Sequence, residues 1–151
     1  MATTEQSLRD DLQDAIRARD EVRMSTLRMV LAAVQKEQVS GDVARTLEAD
    51  ELQAVLRREA KKRREAATAF EDAGRQDRAE RERAELAVVE GYLPAQLDDE
   101  ELTALVAAAI EQTGAQGPRA MGQVMKVVQA SVAGRADGAR VSAEVRRQLT
   151  G

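Results

Sequence analysis

Chemistry in this sequence must proceed without histidine or cysteine, because the 151-residue chain contains neither. Without these side chains it cannot form a Ser-His-Asp or Cys-His nucleophile, a zinc-activated water or a carboxylate-histidine di-iron site. Acid or base chemistry would fall to carboxylates, lysine or tyrosine. The sequence therefore predicts no catalytic, cofactor-binding or metal-binding residue, and it leaves open whether the protein has an enzymatic activity.

Carboxylates cluster at two places, residues 10–14 and residues 98–101. A magnesium site is conceivable at either, since magnesium prefers oxygen ligands. Acidic residues early in a helix also complement the positive end of the helix dipole, and this is the interpretation we favour for both clusters. No P-loop and no Gly-x-Gly-x-x-Gly sequence is present, so nucleotide binding has no support.

The densest charge feature is the basic run at residues 57–64. At about 100° per residue, most of its cations lie on the side of a helix that faces away from the apolar stripe. Arg58, Lys61 and Lys62 could bind phosphates there and are candidate RNA-binding residues. A solvated basic face paired with nearby glutamates is the interpretation we favour.

Glu59 and Arg63 are polar residues that project into the same sector as the apolar stripe of that helix. They are four apart with the glutamate first, which is the favourable order for an ion pair. The favoured interpretation places both at the rim of a helix interface, with the arginine methylenes covering apolar neighbours. The alternative is a semi-buried ion pair that fixes the helix register or receives a partner.

A second basic set lies in the C-terminal part of the chain. The whole chain has a net charge of −4, yet the segment from Gln112 onwards has six basic and two acidic residues. Its glycine-flanked Arg135 lies where backbone amides could approach a phosphate. With one tyrosine and one phenylalanine in the chain, contact with the backbone of a folded RNA is favoured over base stacking. The candidate RNA-binding residues are Arg119, Lys126, Arg135, Arg140, Arg146 and Arg147, although an ordinary solvated surface explains them equally well.

The elements that position these residues are predicted to be helices, because the apolar residues are mainly aliphatic and helix-forming. Helical periodicity marks seven segments, and Pro94 separates the fourth from the fifth. We expect an all-α protein with an N-terminal bundle of about four helices at residues 1–93. A small C-terminal domain of about three helices should follow at residues 94–151.

The compartment is predicted to be the reducing cytoplasm, because the chain has no cysteine from which to build disulfides. Its first residues are polar and lack the apolar core of a signal peptide. No run of about 18 apolar residues occurs, so we expect no membrane partner.

Several segments, taken in their order and spacing, resemble the YqeY family over nearly the whole chain. They are Leu27-Arg28-Met29, residues 58–65 with Phe70 and Gly74-Arg75, residues 90–97, residues 121–125 and residues 134–138. That family is similar to the C-terminal tail of the B subunit of tRNA-dependent amidotransferase, which amidates glutamate or aspartate on mischarged tRNA. The resemblance implies a helical domain followed by a small helical domain, and a tail that contacts tRNA. Amidotransferase catalysis belongs to other domains, so no catalytic residue carries over.

Three functions follow as hypotheses. The first is an accessory protein of tRNA metabolism whose partners are tRNA and an amidotransferase or another tRNA-handling enzyme. The second is a protein-interaction adaptor that does not contact RNA. The third is a carbon-nitrogen ligase activity, implied by the family association alone. The oligomeric state is left open.

Overall fold

The computed structural model describes residues 2–150, and its regular structure over that range is entirely helical. The predicted all-α fold is therefore confirmed. The helices are α1 (Glu5–Ala18), α2 (Glu21–Gln38), α3 (Ala49–Asp72), α4 (Gln76–Glu90), α5 (Asp99–Thr113), α6 (Met121–Val132) and α7 (Gly138–Thr150). A short 3-10 turn, Pro118–Ala120, precedes α6.

The chain divides into two compact units between Pro94 and Ala95, one residue beyond the boundary predicted from the sequence. Unit 1 contains α1 to α4, and unit 2 contains α5 to α7. Each unit has its own aliphatic core. Fully buried side chains of unit 1 include Leu8, Leu27, Val30, Val34, Leu56 and Val89, and those of unit 2 include Val106, Val124, Val128, Val132, Val141 and Val145.

Side-chain caps define where the helices begin. Asp20 accepts a hydrogen bond from the Arg23 backbone N–H and so caps α2. At α5 the Glu101 N–H donates to Asp98 at 2.7 Å, and the Asp98 N–H donates to Glu101 at 3.1 Å. The two bonds form a capping box, which satisfies amide groups that otherwise lack partners at a helix start. The acidic cluster at residues 98–101 thus supplies the cap and first turn of α5.

Pro118 begins the 3-10 turn, in which the Ala120 N–H donates to the Gly117 carbonyl, and α6 follows directly at Met121. Proline suits the first turn of a helix because its missing N–H would have no partner there. The first half of α4 is mostly exposed, but Ala79 is fully buried.

Membrane insertion of a helix would need a long apolar segment. Over residues 2–150, none of the helices combines sufficient length with sufficient apolarity to cross a bilayer.

Candidate functional site

Two of the candidate RNA-binding cations in unit 2, Arg140 and Arg147, form ion pairs. Arg140 donates to Asp99 at 3.0 Å, which connects α7 to the start of α5. Arg147 donates to both carboxylate oxygens of Glu144, with contacts of 2.6–2.9 Å. These charge-assisted bonds lower the pKa of Glu144 below its usual value. Arg140 and Arg147 are therefore neutralised locally by acidic neighbours.

Arg135 has a structural role in the connection between α6 and α7. Its side-chain Nε donates to the Ala95 carbonyl at 2.9 Å, and its own carbonyl accepts from the Leu97 N–H at 2.7 Å. The preceding Gly134 has φ of +80°, a conformation that glycine adopts without strain. Arg135 thus ties the start of unit 2 to the turn before α7, which differs from the phosphate-facing role considered from the sequence.

Three cations of unit 2 are exposed, and within residues 2–150 they form no ion pair: Arg119, Lys126 and Arg146. Arg119 lies in the 3-10 turn, which packs against α6 and α7. Lys126 lies on the side of α6 opposite the buried Val124 and Val128. Each of these side chains can therefore meet an anion without first losing an acidic partner.

The basic face of α3 in unit 1 is paired with glutamates. Arg58 donates to Glu37 at 3.2 Å. Lys62 donates to Glu59 at 3.0 Å, and Lys61 lies 3.9 Å from Glu65. The predicted pairing of this face with acidic neighbours is confirmed. Each of these pairs is worth only about 0–1 kcal/mol, but an anion that binds here must displace a carboxylate.

Glu59 and Arg63 form an ion pair inside unit 1. Each residue is only 6% exposed. The Arg63 Nη1 donates to the Glu59 carboxylate and to the Glu59 backbone carbonyl, both at 3.1 Å. The rim position favoured from the sequence is therefore wrong, because α2 and α4 both pack against α3 and enclose this sector. The alternative prediction of an ion pair is confirmed, with deeper burial than expected.

Glu85 of α4 is the member of this cluster that sequence reasoning missed. It is 7% exposed, and its Oε2 lies 3.8 Å from the Arg63 Nε. Arg81, one turn earlier, donates to Glu85 at 3.0 Å and to Glu21 of α2 at 2.6 Å. The available signal was the four-residue spacing of Arg81, Glu85 and the buried Val89 along one side of α4. The ion cluster, defined as Glu59, Arg63, Arg81 and Glu85, therefore joins α3 to α4 and α2.

The electrostatics of this region show an excess of carboxylates. Burial, followed by repulsion from Glu85, raises the pKa of the neighbouring Glu82. Hydrogen bonds to Glu21 and then to Glu85 raise the pKa of Arg81 further above its usual value. A raised pKa is expected for a glutamate close to another carboxylate, and also for an arginine that is held by two carboxylates. Arg63 is the deeply buried cation that balances Glu59 and Glu85.

Tyr92, in the boundary segment after α4, forms a second polar cluster in unit 1. Its hydroxyl donates to Asp11 of α1 at 2.5 Å and accepts from Arg23 of α2 at 3.4 Å. The Gln53 amide donates to the Tyr92 backbone carbonyl at 3.3 Å. Burial, followed by the bond to Asp11, raises the pKa of Tyr92 to about 12. Tyr92 lies just after the end of α4, and its hydrogen bonds connect this segment to α1, α2 and α3.

Because Tyr92 is the single tyrosine, titration of tyrosinate absorbance reports it alone. We expect a folded-state midpoint near 12, against about 10 in the unfolded chain. Folding favours the neutral phenol, so its stabilising contribution is complete below about pH 10 and is lost as the pH rises through the folded-state value. Asp11→Asn should lower the midpoint only partly towards 10, because burial raises the pKa of Tyr92 more than the bond to Asp11 does. A midpoint near 10 in the native protein would contradict the geometry.

These observations define the class of protein: a two-unit helical protein with an ion cluster inside the larger unit and unpaired cations on the smaller one. In the part of the chain that the structure describes, no three histidine, cysteine, aspartate or glutamate side chains converge as metal ligands. A family model described as Yqey-like protein matches residues 5–149, and the chain belongs to that family.

The chain is also similar to a protein of known name. The chain is 30% identical over 133 residues to a protein of Pyrenophora tritici-repentis named Altered inheritance of mitochondria protein 41, mitochondrial. The match covers 85% of this chain and 71% of the relative. The similarity therefore extends across both units.

Proposed function

We propose that this protein is an accessory factor of tRNA metabolism whose unit 2 binds the phosphate backbone of folded tRNA. The observation that carries the proposal is the set of exposed, unpaired cations on unit 2, namely Arg119, Lys126 and Arg146. Lysine and arginine side chains that neutralise phosphates release counterions, which is the main source of sequence-independent affinity for nucleic acids.

Unit 2 as a whole has six basic and seven acidic residues, but the two signs are separated along the chain. From Gln112 onwards the net charge is +4, and this basic part of unit 2 is the contact surface of the proposal. The similarity of the YqeY family to the tail of the amidotransferase B subunit is the reason for proposing tRNA as the RNA. A tRNA-handling enzyme and a cytoplasmic location complete the proposal, the latter resting on the absence of cysteine.

The proposal is tested by titrating labelled, folded tRNA with the full chain at about 50 mM and about 200 mM salt. We expect binding at the lower concentration that weakens at the higher one, because each phosphate contact contributes a slope of about 0.9 or less to the salt dependence. Single-stranded RNA of equal length should bind more weakly, since the chain offers few aromatic rings for stacking. Absence of tRNA binding at both salt concentrations would defeat the proposal.

A protein-interaction adaptor is the second candidate. It is favoured by the segment between α2 and α3, where Val39 is 60% exposed and Val43 is 76% exposed. Exposed apolar side chains close together can form part of a protein-protein interface. Partner capture by the wild-type chain that survives ribonuclease, and that Val39→Ser with Val43→Ser abolishes, would favour the adaptor over the tRNA-binding function.

A further inference from the structure

The guanidinium of Arg63 lacks strong acceptors on two of its three nitrogens. Its Nη1 donates twice to Glu59. Its Nε is buried without a hydrogen-bond partner, and the nearest carboxylate oxygen, on Glu85, is 3.8 Å away. The partner of its Nη2 is the thioether sulfur of Met29, at 3.3 Å. A thioether is a weak acceptor, so this buried cation is incompletely satisfied.

Met29 lies over this cation at the surface of α2. It is 37% exposed, whereas Met24, Met121 and Met125 are each less exposed. Solvent therefore reaches part of the Met29 side chain, while the Arg63 Nη2 contacts its sulfur from the interior.

We propose that Met29 is a reversible oxidation site whose sulfoxide is held by Arg63. Hydrogen peroxide is the oxidant. A sulfur lone pair attacks one peroxide oxygen and the O–O bond breaks. The proton of the transferred oxygen moves to the second oxygen, which leaves as water. The sulfur is oxidised to the sulfoxide and the peroxide is reduced. Sulfoxide reductases return the thioether. The new oxygen forms on the exposed side of the sulfur, and rotation of the flexible side chain brings this strong acceptor to Nη2 for a charge-assisted hydrogen bond.

The consequence differs from ordinary methionine damage. A sulfoxide usually disrupts apolar packing because a polar group replaces a flexible apolar one. At Met29 the added oxygen meets a buried donor that had only a thioether, so the oxidised side chain gains a partner. Oxidation of Met29 should therefore leave unit 1 folded. It should also change the hydrogen bonding of Arg63 in the ion cluster.

The test is a peroxide time course on the full chain, with site-specific sulfoxide quantified by peptide mass spectrometry. We expect Met29 to be oxidised faster than Met24, Met121 and Met125, because it is the most exposed of the four. Thermal unfolding of protein oxidised mainly at Met29 should show a midpoint equal to or above that of the reduced protein. Oxidation of Met29 no faster than the other three, or a lowered midpoint, would overturn the proposal.

Two substitutions of Met29 test the proposal without changing Arg63, whose own replacement can unfold unit 1. Met29→Gln places an amide oxygen near the position of the sulfoxide oxygen, and Met29→Leu removes the acceptor at similar volume. We expect the glutamine variant to unfold at a higher temperature than the leucine variant, and peroxide to leave both midpoints unchanged. A leucine variant that is equal or more stable would show that Arg63 gains nothing from an acceptor at this position.

Discussion

Arg63→Met is expected to destabilise unit 1 by about 3–5 kcal/mol, because it leaves Glu59 and Glu85 buried without their shared cation. Both glutamates are at most 7% exposed, so water cannot replace the lost partner without opening the helix interface. Arg81 keeps its bond to Glu85 and Lys62 keeps its bond to Glu59, but these two cations are 38% and 71% exposed and compensate a buried carboxylate less well than Arg63 does. The effect should therefore greatly exceed that of removing a surface cation.

Urea unfolding followed by tyrosine fluorescence measures this free energy in unit 1 alone, because Tyr92 is the single tyrosine and the chain has no tryptophan. Lys61→Met is the matched control on the same helix. Lys61 is 57% exposed and lies 3.9 Å from its partner, so its replacement should change the free energy of unfolding by less than about 0.5 kcal/mol.

A triple replacement distinguishes loss of charge balance from loss of packing. Glu59→Leu, Arg63→Met and Glu85→Leu together remove both buried acids with their cation. This variant should recover most of the stability that the single substitution loses, because apolar residues of similar volume often replace buried ion groups without penalty. A single Arg63→Met variant within about 1 kcal/mol of wild type would contradict the burial described here.

Replacing Arg119, Lys126 and Arg146 together by glutamine is expected to weaken tRNA binding roughly tenfold to a hundredfold at about 100 mM salt. These side chains are exposed, so the substitutions should leave the helices and the core of unit 2 intact. The measurement is the dissociation constant for folded tRNA, with circular dichroism as the check on folding.

The matched control removes three cations that already have acidic partners. Replacing Arg58, Lys61 and Lys62 by glutamine changes the net charge by the same amount, but on the paired face of α3. We expect a loss of affinity several-fold smaller than for the unit 2 variant. Equal losses would mean that total charge, and not the unpaired surface of unit 2, determines binding.

Local interactions explain why the helices could be predicted from sequence. The Asp20 cap, the Asp98 and Glu101 capping box and the turn at Gly114 each depend on residues a few positions apart. The aliphatic periodicity that places Val124 and Val128 in the core is equally local. Such features require no knowledge of how distant elements pack.

Contacts between distant elements explain what the sequence could not reveal. Glu85 lies in a polar stretch of α4, and its burial depends on Arg63, twenty-two residues earlier, and on helix packing. Arg135 looked available to phosphate until its bond to the Ala95 carbonyl was seen. In the same way, Arg140 and Arg119 look alike in sequence, and only the fold places an aspartate beside the first. The sequence therefore identifies the candidate cations, and the fold shows which of them have an acidic partner.

The salt dependence of tRNA binding, compared between the wild-type chain and the Arg119, Lys126 and Arg146 glutamine variant, tests the central claim most directly. Three lost phosphate contacts should reduce the magnitude of the slope of log K against log salt by roughly 2 to 3. Parallel slopes for the two proteins would contradict the claim that these cations bind the tRNA backbone.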